Sequence, residues 1–300
     1  MGHDHHHHLP VDHLNRAFVV GIVLNLVFVC VEFGAGVWLD SVALISDAGH
    51  NLSDVVSLVL SLIAFRLARV KPTASYTYGY RKSTVLVSLL NACILLVAVG
   101  VILVESVRKL YDPQPVDGDS IAWVAGVGIV INAFTAWLFI RDKEKDLNVK
   151  GAYLHMAADT LVSVGVLISG IVIRLTGWYA IDPVVGIAIA LVILFSTSKL
   201  LHDSLRLSLD GVPVGIDSER VRRSIMETDP RIEDVHHVHI WAISTTQNAL
   251  TAHVVVRSLD EAEGLKHEIK HRLEHEGIGH ATLEFELCGE HCTKECPECG

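Results

Sequence analysis

Apolar residues in the first two thirds of the chain do not alternate with polar ones; they run together. Six runs stand out, at about 17–38, 42–65, 84–106, 120–140, 152–175 and 183–201, separated by short polar segments. A helix needs roughly 20 apolar residues to cross the hydrocarbon of a bilayer. The pattern therefore predicts six transmembrane helices, and it disfavours a soluble bundle, which would need polar faces turned to water. From about residue 204 the texture changes. Asp217 is placed to cap a helix running to Met226, Val235–Ser244 and Leu250–Val256 read as strands, Glu261–His275 has helical spacing, and Ala281–Leu287 reads as a last strand. That order predicts a small α+β domain, a sheet with its helices on one face. A domain of about 85 residues buries only a modest core, which favours dimerisation.

Two of the apolar runs contain paired ionisable residues at one spacing. His50 and Asp54 lie in the second, His155 and Asp159 in the fifth, each pair spaced His-x-x-x-Asp. On a helix both members share one face, one turn apart. Ionisable side chains in hydrocarbon are costly, face the bundle interior and mark ion pathways. Two imidazoles and two carboxylates also make a complete tetrahedral ligand set for Zn²⁺. Two ionised aspartates and two neutral histidines balance a dication, so the loaded site carries no net charge in a medium that penalises charge. The empty site keeps two negative charges, which favours taking up protons, and its ligands bind metal in their deprotonated forms. Metal out and protons in is the expected coupling.

Other readings weaken by comparison. A single His–Asp pair suits a structural hydrogen bond, but two pairs with matching spacing argue against that. An intramembrane hydrolase is disfavoured because zincin-type motifs such as H-E-x-x-H are read as absent, and four protein ligands leave no open position for water. No enzymatic activity is expected, and no organic cofactor. A membrane sensor that binds zinc without moving it stays open as the alternative to transport.

Composition agrees with the pattern. The chain is 51% hydrophobic and 19% charged over 300 residues, with a mean hydropathy of +0.43, too apolar for an ordinary soluble domain. Its net charge is −10, with acids and histidines gathered near the C-terminus and no basic stripe with interleaved aromatics, so nucleic acid is not an expected partner. Basic residues collect in two short segments. Arg66, Arg69, Lys71, Arg81 and Lys82 follow the second run, and Arg141, Lys143, Lys145 and Lys150 follow the fourth. By the positive-inside rule these segments, both termini and the soluble domain are expected on the cytoplasmic side of a multi-pass protein, in the cell (inner) membrane. No cleavable signal peptide is read, because the first apolar run lies behind a histidine-rich polar start. The expected divisions are a histidine-rich tail at 1–14, a transmembrane domain at 15–203, a cytoplasmic domain at 204–287 and a cysteine-rich tail at 288–300.

Ala43-Leu-Ile-Ser-Asp-Ala-Gly-His-Asn-Leu-Ser-Asp54 resembles the second-span signature of the cation diffusion facilitator (CDF) family of zinc/proton antiporters. Tyr78-Gly-Tyr-Arg81 with Asn91-Ala92 is similar to that family's opening of span three, Asp182-Pro183-x-x-Gly186 to that of span six, and His239-Ile-Trp241 to its cytoplasmic motif. The resemblance covers nearly the whole chain. It implies a homodimer, six spans per subunit, a ferredoxin-like (αββαβ) cytoplasmic domain, and a zinc transporter whose transport site is His50, Asp54, His155 and Asp159. It also implies a regulatory metal site from His236, His253 and Glu286, with His239 packing beside Trp241. Zn²⁺ is the expected substrate and regulatory ligand, with Cd²⁺ and Co²⁺ not distinguished, and protons are the exchanged ion. Some members hold a second site between spans two and three. Residues 66–82 contain no His, Asp, Glu or Cys, so that site is expected to be missing. Thr84 stands where members often carry an acid, and residues 141–150 lack the histidines of some zinc carriers.

Peripheral ligands complete the picture. The His3–His8 cluster either gathers metal near the cytoplasmic mouth or is a tag, and its interruption by Asp4 favours the first. Cys288, Cys292, Cys296 and Cys299 have spacing suited to a four-sulfur zinc site, if the tail is ordered. Cys30 and Cys93 are expected as buried, inert thiols. His267, His271 and His275 read as a solvated helix face. Gly34-x-Gly36 and Gly126-x-Gly128 are expected at close helix contacts. Asn25, Glu32, Asn91 and Asn132 lie within spans without an assigned role.

Overall fold

Long uninterrupted apolar stretches favour long helices, and six are present. In a computed structural model, which describes residues 11–38, 42–111, 118–178, 180–260 and 262–287, they are α1 (Val11–Trp38), α2 (Val42–Leu67), α3 (Ser83–Tyr111), α4 (Gly118–Ile140), α5 (Leu147–Thr176) and α6 (Ile181–Ser208). Most extend past the apolar runs because polar residues carry their ends. The Asp146 carboxylate accepts from the backbone N–H groups of Asn148 and Val149 and starts α5 a turn early. Among the described residues, Ser83–Tyr111 and Pro183–Ser208 are long and apolar enough by themselves to cross a membrane.

These helices bury polar groups and expose apolar ones, the reverse of a water-soluble bundle. Asn25, Ser61, Asn91, Asn132, Thr135 and Thr197 are buried, whereas Val31, Val97, Val130, Trp137 and Phe195 are exposed. Cys30 and Cys93 also face outward, so the expectation of buried thiols is corrected. Helix α1 packs on α2 and α4, α4 on α5, and α2 on α5. Phe18, Leu58, Phe139 and Met156 fill the space between these four. Helices α3 and α6 join through Val99, Ala190 and Ile193 against Ala158, and through Ala92, Leu95 and Leu200. Close approach is not where the glycine pairs suggested. A Cβ on Gly34 or Gly126 would meet open space; only Gly128 abuts Phe28. Tight approach occurs instead at Gly165, where a Cβ would run into Ile189 Cδ1, at Gly186, where it would lie 2.5 Å from Ser106 Oγ, and at Gly21, 2.9 Å from Thr135 Cγ2.

The second compact unit comprises Lys71–Val85 and the chain from His202 onward. It contains α7 (Ser218–Met226), β1 (Ile232–Ser244), β2 (Gln247–Val256), α8 (Ala262–His275) and β3 (His280–Leu287), the expected helix–strand–strand–helix–strand order. Asp217 caps α7 by accepting from the N–H groups of Glu219 and Arg220. Before β1, the Arg231 guanidinium hydrogen-bonds Asp229 and holds its carboxyl down at about 2. The sheet order is β1-β2-β3, antiparallel between β1 and β2 and parallel between β2 and β3. Leu250, Ala252, Val254 and Val256 alternate into the core with Val235, Ile240, Ile269 and Leu273. Helices α7 and α8 touch each other, so both lie on this core face and the opposite face carries His253, Glu284 and Glu286. Within the same unit Lys82 Nζ donates to the carbonyls of Leu207 and Ala242 and pairs with Asp210 at 2.5 Å.

Candidate metal centre

The contact between α2 and α5 brings two of the intramembrane residues face to face. His155 Nε2 is hydrogen-bonded to Asp54 Oδ1 and lies 3.9 Å from Asp159 Oδ2, one turn along α5. Each of the three residues offers a ligand atom within 4.8 Å of the others. Asp54 is 1% and His155 5% exposed. Asp54 Oδ2 is buried and accepts no hydrogen bond. Leaving such an oxygen unsatisfied costs on the order of 1–3 kcal/mol or more, and a bound dication is the kind of partner that would remove the penalty. His50 lies on α2, one turn before Asp54; its side chain is outside the described residues. Uncharged polar groups are buried in the same helices. Asn25 Nδ2 donates to Gly21 O and Thr135 Oγ1, and Asn91 Nδ2 donates to Ser61 Oγ at 2.9 Å.

A second cluster forms on the sheet face opposite the helices. His236 on β1 pairs in register with His253 on β2, and parallel pairing sets Glu284 and Glu286 of β3 beside them. His253 Nδ1 lies 2.5 Å from Glu286 Oε1, and His236 Nε2 lies 3.4 Å from Glu286 Oε2. Ligand atoms of His236, His253 and Glu286 all fall within 4.8 Å of one another. His236 Nε2 is buried and makes no hydrogen bond, so an atom able to bind metal is left over, which suits a metal. His237 joins them. An irregularity in the β1–β2 register between His236 and His239, with His237 at φ +52°, breaks the strand's alternation. Its ring therefore sits on the same side, 5.0 Å from that of His236 and stacked 4.8 Å from that of His253. A positive φ is uncommon for any residue with a side chain.

Residues 18–207 match the family model of the cation efflux transmembrane domain, and residues 213–287 match that of the cation efflux protein cytoplasmic domain. The chain belongs to the cation efflux family. Among its relatives is a cadmium, cobalt and zinc/H(+)-K(+) antiporter of Bacillus subtilis, 33% identical over 95% of this chain and 92% of the relative. The zinc transporter ZitB of Escherichia coli is 35% identical over 95% and 93%. The metal cation efflux system protein CzcD of Cupriavidus metallidurans is 36% identical over 96% and 91%.

Family membership gives the remaining sequence candidates a setting. Cys288, Cys292, Cys296 and Cys299 and the His3–His8 cluster lie outside the described residues, as does the side chain of Glu32. Thr84, standing where family members often carry an acid, accepts from Thr245 N–H and donates to Arg81 O. His239 is exposed and lines a groove with Trp241. His267-Glu268-Ile269-Lys270-His271 does have H-E-x-x-H spacing, outside the apolar runs, which corrects the reading of that motif as absent. On α8 His267, His271 and His275 are exposed while Leu265, Ile269 and Leu273 face the core, which fits the solvated face expected of these histidines. Sequence reading left His237 unassigned, because period-two alternation sends adjacent strand residues to opposite faces.

Proposed function

We propose that the chain is a divalent-cation efflux carrier that exports Zn²⁺ from the cytoplasm in exchange for protons. The transport ligands are His50, Asp54, His155 and Asp159. One observation carries the reading: the buried convergence of Asp54, His155 and Asp159 between two helices of a matched cation efflux transmembrane domain. The names of the relatives, zinc and cadmium/cobalt/zinc carriers, support the substrate class. All six long helices cross the bilayer in this reading, with the basic segments, both termini and the sheet domain in the cytoplasm and the protein in the inner membrane. Two copies assemble as a homodimer. His236, His253 and Glu286 hold a regulatory cation, and His237 stands beside them.

Charge accounts for the exchange. A loaded site of two carboxylates and two neutral imidazoles is neutral around a dication, so it can open to either side without exposing net charge to hydrocarbon. Unloading restores the two negative charges, and protons compensate them on the return. In this scheme His155 and Asp54 hold each other by their hydrogen bond when metal is absent, and zinc substitutes for that contact.

Zinc flux in proteoliposomes tests the proposal. Flux should follow an imposed pH gradient and disappear with Asp54→Asn while the protein still inserts and folds. Zinc that binds without accumulating would instead establish a sensor.

A further inference from the structure

Beside the three converging ligands lies a cavity no larger than a water molecule, lined by Ser57, Asn91, Gly151, Ala152 and His155 among others. Ser57 Oγ and Asn91 Oδ1 are both buried, and neither has a hydrogen-bond partner. Asn91 donates its amide to Ser61, which leaves its carbonyl oxygen without a use of its own. Such unsatisfied oxygens are costly one at a time, and here two line one small cavity next to an ion site.

Their positions along the helices share a direction. Ser57 and Ser61 lie beyond Asp54 toward the C-terminal end of α2. Gly151 and Ala152 precede His155 toward the start of α5. Asn91 lies two turns into α3. All three displacements lead to the helix ends that bear the basic segments at 66–82 and 141–150, assigned above to the cytoplasm.

We propose that Ser57 Oγ and Asn91 Oδ1 form a transit site for the incoming dication. They replace water in its hydration shell and pass it on to His155 and Asp54. The proposal rests on the transport-site reading above. Hydroxyl and amide oxygens are harder and weaker ligands for zinc than imidazole, and they carry no charge. Conduction through successive sites needs each one favourable enough to enter and weak enough to leave. A neutral pair before a charged one meets that requirement; a carboxylate in the same place would hold the ion.

The test compares zinc flux into vesicles with equilibrium zinc binding by the same full-length protein in detergent. Ser57→Ala, Asn91→Ala and the double variant are read against Ser61→Ala, which removes Asn91's partner but keeps both oxygens. In the double variant, flux at limiting zinc should fall about tenfold, while flux at saturating zinc and equilibrium affinity stay within about twofold. Asn91→Asp should do the opposite, tightening binding and slowing saturated flux. Unchanged flux at limiting zinc in Ser57→Ala and the double variant would overturn the transit site. So would a defect that tracks the pH gradient and ignores zinc concentration. Should Asp54→Asn abolish transport while the double variant runs at full rate, the transit site alone falls; should Asp54→Asn also transport, the site beneath it falls.

Discussion

The two candidate metal-binding clusters use the same kinds of side chain in different settings. Asp54 and His155 sit buried on helices with Asp159 partly buried beside them, whereas His236, His253 and Glu286 sit on strands and are all only partly buried. On helices the ligands come one turn apart and the ligand set is lean. On the sheet they come from adjacent strands, with spare acids nearby: Glu284 lies 3.4 Å from His253 Nε2 with its side chain 68% exposed, and Asp234 lies 3.3 Å from His236 Nδ1. The difference is one of dielectric. Where water is absent every charge must be balanced within the site; where water screens, extra carboxylates are tolerated.

Substitutions that change charge without changing shape should expose that contrast. Asp159→Asn leaves the loaded intramembrane site with an uncompensated positive charge, and vesicle flux should fall by about 100-fold or more, since a buried unpaired charge costs several kcal/mol. Glu286→Gln, applied to the half-buried cluster, should weaken zinc binding there by about tenfold, read by calorimetry in an Asp54→Asn background that silences the other site. Glu284→Gln, at the exposed rim, should change that affinity by less than about twofold. Equal losses from Asp159→Asn and Glu284→Gln would erase the distinction between the two settings.

The convergence of Asp54, His155 and Asp159 was legible because two simple periodicities coincide. A spacing of four within an apolar run fixes both the helix face and the unusual cost of its polar residues, so these three could be grouped as candidate ligands without coordinates, while the side chain of His50 lies outside the described residues. The sheet domain was equally readable in its element order. Most of what stayed hidden is a product of packing between segments distant in sequence. Ser57 and Asn91 look like ordinary small polar residues in spans until α2, α3 and α5 place both beside one cavity. His237 was concealed by a local irregularity, since regular alternation points it away from His236 and only the positive φ turns it back. Gly34 and Gly126 had the spacing of contact glycines, but no helix packs against them, and spacing alone carries no information on which face is covered.

The central claim is a neutral nest of two imidazoles and two carboxylates around the exported ion. X-ray absorption at the zinc edge measures it directly, on full-length protein loaded with one zinc per chain. His236, His253, Glu286 and the histidines of the His3–His8 cluster are replaced by alanine and the four tail cysteines by serine, so that of the candidate sites named above only the intramembrane one remains. The expected spectrum shows two imidazole nitrogens and two carboxylate oxygens at about 2.0–2.2 Å, lost on Asp54→Asn. A shell dominated by water, or one indifferent to Asp54→Asn, would contradict the account.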